Sequence, residues 1–143
     1  VSSFCGAAAA LQAEYTLPNV SQTVIITRMA GRTPVPEKES IAQLAAHGAT
    51  MVIFLSTGLL NELSKELQKG GYSADTPAAI VYKASWPEER VLRCTVATLE
   101  QTAKENNITK TALITVGNFL GNDYELSKLY DASFETEFRK ATK

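Results

Sequence analysis

The sequence predicts an α/β fold: a single domain whose central sheet is mixed, mostly of the parallel type, and flanked by helices. Three observations carry this. Residues 51–55 and 78–82 are continuous apolar runs and 112–116 is apolar but for Thr115, as expected of central strands covered on both faces. Between them lie stretches with apolar residues at helical spacing, such as Leu60, Leu63 and Leu67. Residues 90–96 instead alternate, with Leu92, Cys94 and Val96 on one side and Arg93 and Thr95 on the other, which marks a half-exposed strand. Strands alternating with helices, plus one hairpin, define the class. A length of 143 residues suits one domain, and 45% apolar content is ample for one core.

Each element follows from local signals. An alanine-rich opening predicts a helix from about residue 2 to residue 13, with Ser2 or Ser3 as its cap. The chain starts on Val1, with no element leading into this helix, so a piece of a longer protein is expected. Polar Ser21-Gln22 leads into a strand over 23–27, and the loop from Arg28 to Pro36 follows, irregular because of its two prolines. Residues 37–46 read as a short helix with Ile41, Leu44 and Ala45 on one face, ended by His47-Gly48. Ser56 or Thr57 caps the next helix, and Gly70-Gly71 stops it. The strand at 78–82 is expected to pair antiparallel with 90–96 across the Trp86-Pro87 turn. Thr98-Leu99-Glu100-Gln101 fits a capping box that opens a helix to about Asn106. After the last strand, 117–123 reads as loop. Tyr124 onward reads as one or two short helices, with Phe134 and Phe138 paired at i,i+4.

Composition excludes several classes of function. The 14 basic and 15 acidic residues are scattered, so neither nucleic acid nor an anionic membrane meets the basic face it needs. Cys5 and Cys94 lie far apart without CxxC spacing and read as two buried thiols of a cytosolic chain. With His47 as the one histidine, a structural zinc site has too few ligands. No apolar run approaches a membrane span, and no signal peptide is visible. His47 sits at a helix end, where it complements the dipole rather than serving a triad. Glu88-Glu89 reads as a solvated corner, and neither GxGxxG nor GxxxxGK[ST] occurs. No catalytic side chain and no metal ligand is assigned. What remains is a set of strand ends, at Leu55, Ala84 and Ala112, together with the loop that holds Arg28 and Arg32. Ligands of open α/β sheets bind beyond strand termini, and paired guanidiniums suit an anion.

Thr27-Arg28, Gly31-Arg32-Thr33-Pro34-Val35-Pro36, Ala49-Thr50-Met51 with Phe54-Leu55-Ser56, and Ala84-Ser85-Trp86-Pro87 occur in that order. Together they resemble the precorrin-4 branch of the tetrapyrrole methylases, which pass a methyl group from S-adenosylmethionine to a porphyrinoid ring carbon. The resemblance covers essentially the whole chain and matches the C-terminal half of these two-domain enzymes. It implies that residues 1–143 form the C-terminal domain, without the N-terminal domain and its glycine-rich donor loop, and that the chain by itself is inactive. The methyl donor is then held by Ser2 and Ser3, by Leu55, by Ala84, and by Ala112 with Thr111. Arg28 and Arg32 are assigned to the carboxylate arms of the ring, with bracing of the two domains as the rival role. The implied setting is a cytoplasmic homodimer of cobalamin biosynthesis whose substrate is precorrin-4 or its cobalt complex. Two other readings stay open: a neighbouring branch such as a uroporphyrinogen-III or precorrin-2 methyltransferase, and a non-catalytic dimerisation or ligand-binding module.

Overall fold

The apolar runs become the three inner strands of a five-stranded sheet in the computed structural model, which describes residues 1–123, 125 and 132–140. The strands are β1 (Val24–Arg28), β2 (Thr50–Phe54), β3 (Pro77–Tyr82), β4 (Arg90–Thr95) and β5 (Ala112–Val116), arranged in the order β1-β2-β5-β3-β4. The helices are α1 (Ser3–Leu11), α2 (Ile41–Ala45), α3 (Leu60–Lys69) and α4 (Leu99–Glu105). Side chains alternate across the sheet with a period of two. Met51, Ile53, Ile80, Ile114 and Val116 meet α2, α3 and α4 on one face. Val52, Ala79, Val81 and Leu113 meet α1, Tyr15 and Phe119 on the other.

The sheet is mixed, as expected, but not mostly parallel. Only β1 and β2 pair in parallel, with Val24 opposite Thr50 and Arg28 opposite Phe54. The β2–β5, β3–β5 and β3–β4 pairs are all antiparallel. An apolar run reports that both faces are covered and carries no information on strand direction. Here β5 is inserted between β2 and β3 and runs against both, while β3 and β4 form the expected hairpin.

Several local expectations shift for identifiable reasons. Ser2 is the N-cap of α1, yet its side chain makes no capping bond. The helix expected over 37–46 is split: Glu37–Glu39 is a single 3-10 turn, and Ser40 is extended at φ −61, ψ 151. Ser40 then caps α2, its Oγ accepting the Gln43 N–H at 3.4 Å. Ser56 caps nothing. Its buried hydroxyl accepts the Met29 N–H at 3.2 Å and donates to the Phe54 carbonyl at 2.7 Å, tying the loop after β1 to the end of β2. The capping box lies three residues earlier than expected, with Thr95 as cap and Thr98 at its third position. Cys5 is exposed rather than buried, and Cys94 is half-buried. Residues 132–140 hold a tight turn closed by the Thr136–Arg139 bridge, so Phe134 and Phe138 share no helix. The rest of the expected terminal helices lies outside the described residues.

Packing makes the fold sensitive to alkali. Burial pushes the Tyr15 and Tyr72 hydroxyls up to about 12 and the Cys94 thiol up to about 11, the last against an opposing hydrogen bond from Thr102. Tyr15 donates to the Phe4 carbonyl at 2.7 Å, and Tyr72 donates to the Ala49 carbonyl. In the unfolded chain these groups ionise at their ordinary values, 10.0 for tyrosine and 9.0 for cysteine. The unfolded state therefore releases these protons first as pH rises. Stability is intact below about pH 9 and falls as pH climbs toward 11 and 12. Urea midpoints measured across this range should decline above about pH 9; an unchanged midpoint at about pH 10.5 would contradict the buried placement of these groups.

Candidate functional site

Because β2 and β3 run in one direction and β5 in the other, the ends of β2 and β3 share one sheet edge with the start of β5. At each of these points the chain turns through the left-handed region. Leu55 has φ 53, Lys83 φ 46, Ser85 φ 70 and Thr111 φ 59. None of them is glycine, and a β-branched residue such as Thr111 is rare there. Conformations of this kind cost of order 1–3 kcal/mol each and cluster at binding sites. The turns are tied together, the Lys83 N–H donating to the Thr111 carbonyl at 3.0 Å and the Thr57 hydroxyl to the Ala112 carbonyl at 3.3 Å.

These turns frame a cavity of about 400 Å³. Ser3, Leu55, Ala84, Thr111 and Ala112 all line it, so five of the six residues assigned to the methyl donor converge from four separate segments. Ser2, one residue before the helix, is exposed and does not line the cavity. The smallness of Ala84 also serves packing: a Cβ placed on Gly6 of α1 would lie 3.5 Å from the Ala84 Cβ, so the helix rests on the end of β3. Leu55 lines the cavity and is nonetheless 85% exposed, an apolar side chain left outside the core.

The charge of the cavity is one-sided. Lys83 and Lys110 line it, and no Asp or Glu does among the described residues. Lys83 Nζ pairs with Glu88 at 3.1 Å, a hydrogen bond that raises the lysine and lowers the carboxyl from their ordinary values. Two of the lining residues were passed over in the sequence. Lys110 gave no motif, and Trp86 read as a turn residue and as part of the Ala84-Ser85-Trp86-Pro87 motif without a ligand role, although a large aromatic beside a small Ala84 was a usable signal.

The two arginines part company. Arg28 closes β1 beside Phe54, and its guanidinium folds back on its own loop. Its Nη1 donates to the Met29 and Thr33 carbonyls, each at 3.1 Å, and its Nη2 to the Pro34 carbonyl at 3.0 Å. Arg28 therefore braces the loop, with most of its donors spent. Arg32 is exposed at the tip of that loop and makes no hydrogen bond or ion pair among the described residues. Neither arginine lines the cavity. The loop still lies beside it, since a Cβ on Gly31 would lie 3.8 Å from Leu59, in the turn that follows Leu55.

Over residues 1–100 the chain matches the family described as Tetrapyrrole (Corrin/Porphyrin) Methylases. It is 51% identical over 144 residues to a cobalt-precorrin-4 C(11)-methyltransferase of Methanocaldococcus jannaschii, covering 100% of this chain and 56% of that protein. Identity to the same enzyme of Priestia megaterium is 47% over 148 residues, covering 100% of this chain and 57% of the relative. The X-ray structure of a cobalt precorrin-4 methyltransferase superposes with a TM-score of 0.83 at 47% identity, covering 85% of this chain and 51% of that one. The chain thus spans about half the length of the curated relatives it matches.

Proposed function

Because the chain belongs to the tetrapyrrole methylase family, we propose that it is the C-terminal domain of an S-adenosylmethionine-dependent methyltransferase acting on precorrin-4 or cobalt-precorrin-4 in cobalamin biosynthesis. One observation carries this reading: Ser3, Leu55, Ala84, Thr111 and Ala112, distant in sequence, meet around a single cavity at the sheet edge. Its volume falls in the range of small-molecule sites, about 300–1,000 Å³. The largely apolar lining suits the adenosine part of the donor. Lys83 and Lys110 do not suit its cationic end, which calls for negative charge from outside this cavity.

S-adenosylmethionine supplies the methyl group on a sulfonium, and an electron-rich ring carbon is already nucleophilic. The work left to this chain is alignment and exclusion of water. Holding two reactants in line contributes about 7–11 kcal/mol of barrier lowering in favourable cases. Leu55, an apolar residue lining the cavity, helps shield the donor from water. Arg32, unpaired at the loop tip, is the group available to a ring carboxylate, and Arg28 holds the loop that presents it. The whole protein works as a cytoplasmic homodimer in this reading. Among the described residues no helix is long and apolar enough to cross a membrane.

The test is an assay of the full-length protein with S-adenosylmethionine and precorrin-4 or its cobalt complex, the product identified by mass spectrometry. A gain of one methyl group is expected. Turnover of uroporphyrinogen III alone would move the protein to a neighbouring branch. The isolated chain should transfer no methyl group and bind S-adenosylhomocysteine weakly. Micromolar affinity by calorimetry would overturn a donor site divided between two domains.

A further inference from the structure

Trp86 is the one tryptophan of the chain, and it is 55% exposed on the turn joining β3 to β4, at the border of the cavity. The turn that carries it is held firmly. Lys83 and Ser85 take left-handed conformations, the Trp86 N–H donates to the Lys83 carbonyl at 3.0 Å, and the Glu89 N–H donates to the Trp86 carbonyl at 3.0 Å. Glu89 closes the loop with an Oε2 that accepts the Ser85 N–H at 2.6 Å. A cation stands against the indole: Lys83 Nζ lies 5.2 Å from its ring centroid and 5.4 Å from that of Tyr82, while Glu88 steadies the ammonium. A cation over an aromatic face is attracted by the ring quadrupole, which favours this orientation of the ring before any ligand arrives. A pre-oriented aromatic beside a cavity, left half in water, offers its remaining surface to a flat partner.

We propose that Trp86 is the aromatic wall of the donor site and packs against the adenine of the methyl donor. This rests on reading the cavity as the donor site. The lining favours adenine among the parts of the donor. It is largely apolar, Glu88 neutralises Lys83 at 3.1 Å, and among the described residues no carboxylate lines the space to meet the sulfonium or the amino group. Position agrees. Trp86 follows Ala84 by two residues, and Lys83 bonds the Thr111 carbonyl, so the indole stands on the side of the cavity where β3 meets β5.

As the sole tryptophan, Trp86 gives a single indole N–H resonance in a nitrogen–proton correlation spectrum of this chain. Titration with S-adenosylhomocysteine should move that resonance together with the backbone amides of Leu55, Thr111 and Ala112. Adenosine alone should reproduce the indole shift, and homocysteine should not. Trp86→Phe should keep affinity within about twofold, whereas Trp86→Ala should lower it about fivefold to tenfold, with both variants melting at the temperature of the parent. Amide shifts around the cavity with an unmoved indole would overturn the role of Trp86 and leave the donor site standing. An indole that responds to a porphyrinoid such as uroporphyrin but not to adenosine would assign Trp86 to the ring instead and sink the proposal. No shift at any cavity residue of the full-length protein up to millimolar ligand would remove the donor site and this inference together.

Discussion

Arg32→Ala in the full-length protein is expected to weaken tetrapyrrole binding roughly tenfold to a hundredfold while leaving donor affinity unchanged. A hydrogen bond between charged groups contributes about 1.5–3 kcal/mol, and each 1.4 kcal/mol is a factor of ten in binding. Arg32 is exposed at the tip of a loop that stands beside the cavity without lining it, so its loss reaches the ring and not the donor. Lysine should rescue in part, since it keeps the charge but lacks the planar fork. Arg28→Ala should behave differently. It removes the donors that hold the Met29, Thr33 and Pro34 carbonyls, so the loop loosens and the melting temperature falls along with ring affinity. Lysine should not rescue position 28, because one ammonium cannot span three carbonyls in the geometry of a guanidinium. Titrating both ligands against Arg32→Ala decides the assignment. Equal weakening of ring and donor would make Arg32 a brace between domains and remove it from the substrate site.

Gly70→Ala should be the most destabilising single-methyl change in the described part of the chain. Gly70 ends α3 with ordinary helical angles, so its role is space rather than backbone freedom. A Cβ there would lie 2.4 Å from the Ala42 carbonyl oxygen and 2.5 Å from the Ala45 Cβ, both on α2. The clash is with helix backbone, and relief requires α2 and α3 to separate over the core that Ile41, Leu63 and Leu67 build. Overpacking of this kind costs typically 1–3 kcal/mol and occasionally more, so about 3 kcal/mol is expected here. For a domain of this size that lowers the melting temperature by roughly 10 °C. Gly58→Ala is the control, with no atom within 4 Å of the added methyl and no positive φ, and should melt close to the parent. A Gly70→Ala variant as stable as Gly58→Ala would mean that the two helices do not approach this closely.

The strands were legible because burial on both faces leaves an apolar run, broken in β5 only by Thr115, and β2, β3 and β5 fall within a residue of the expected bounds. Helix ends were less so. Ser40, Ser56 and Thr98 all carry hydroxyls that suit a cap, yet only the Ser40 side chain makes a capping bond to an α-helix, and Ser56 is spent on the loop after β1. A hydroxyl has several local partners of similar energy, and tertiary contacts choose among them. The site was legible as a list and not as a shape. Leu55, Ala84 and Ala112 stood out as strand ends, whereas Trp86 and Lys110 joined them only once the strands were side by side.

By itself, the sequence determined the α/β class, the order of the elements, the residues at the strand ends and, through its motifs, the family. These depend on periodicity, turn chemistry and residue identity, all of which are local. The tertiary structure alone decided the place and direction of β5, the inward turn of Arg28, and the meeting of four segments around one cavity. Each of those depends on which distant backbone lies alongside. β5 enters between β2 and β3 and brings Thr111 to Lys83, and the carbonyls of its own folded loop, rather than a ligand, surround the Arg28 guanidinium.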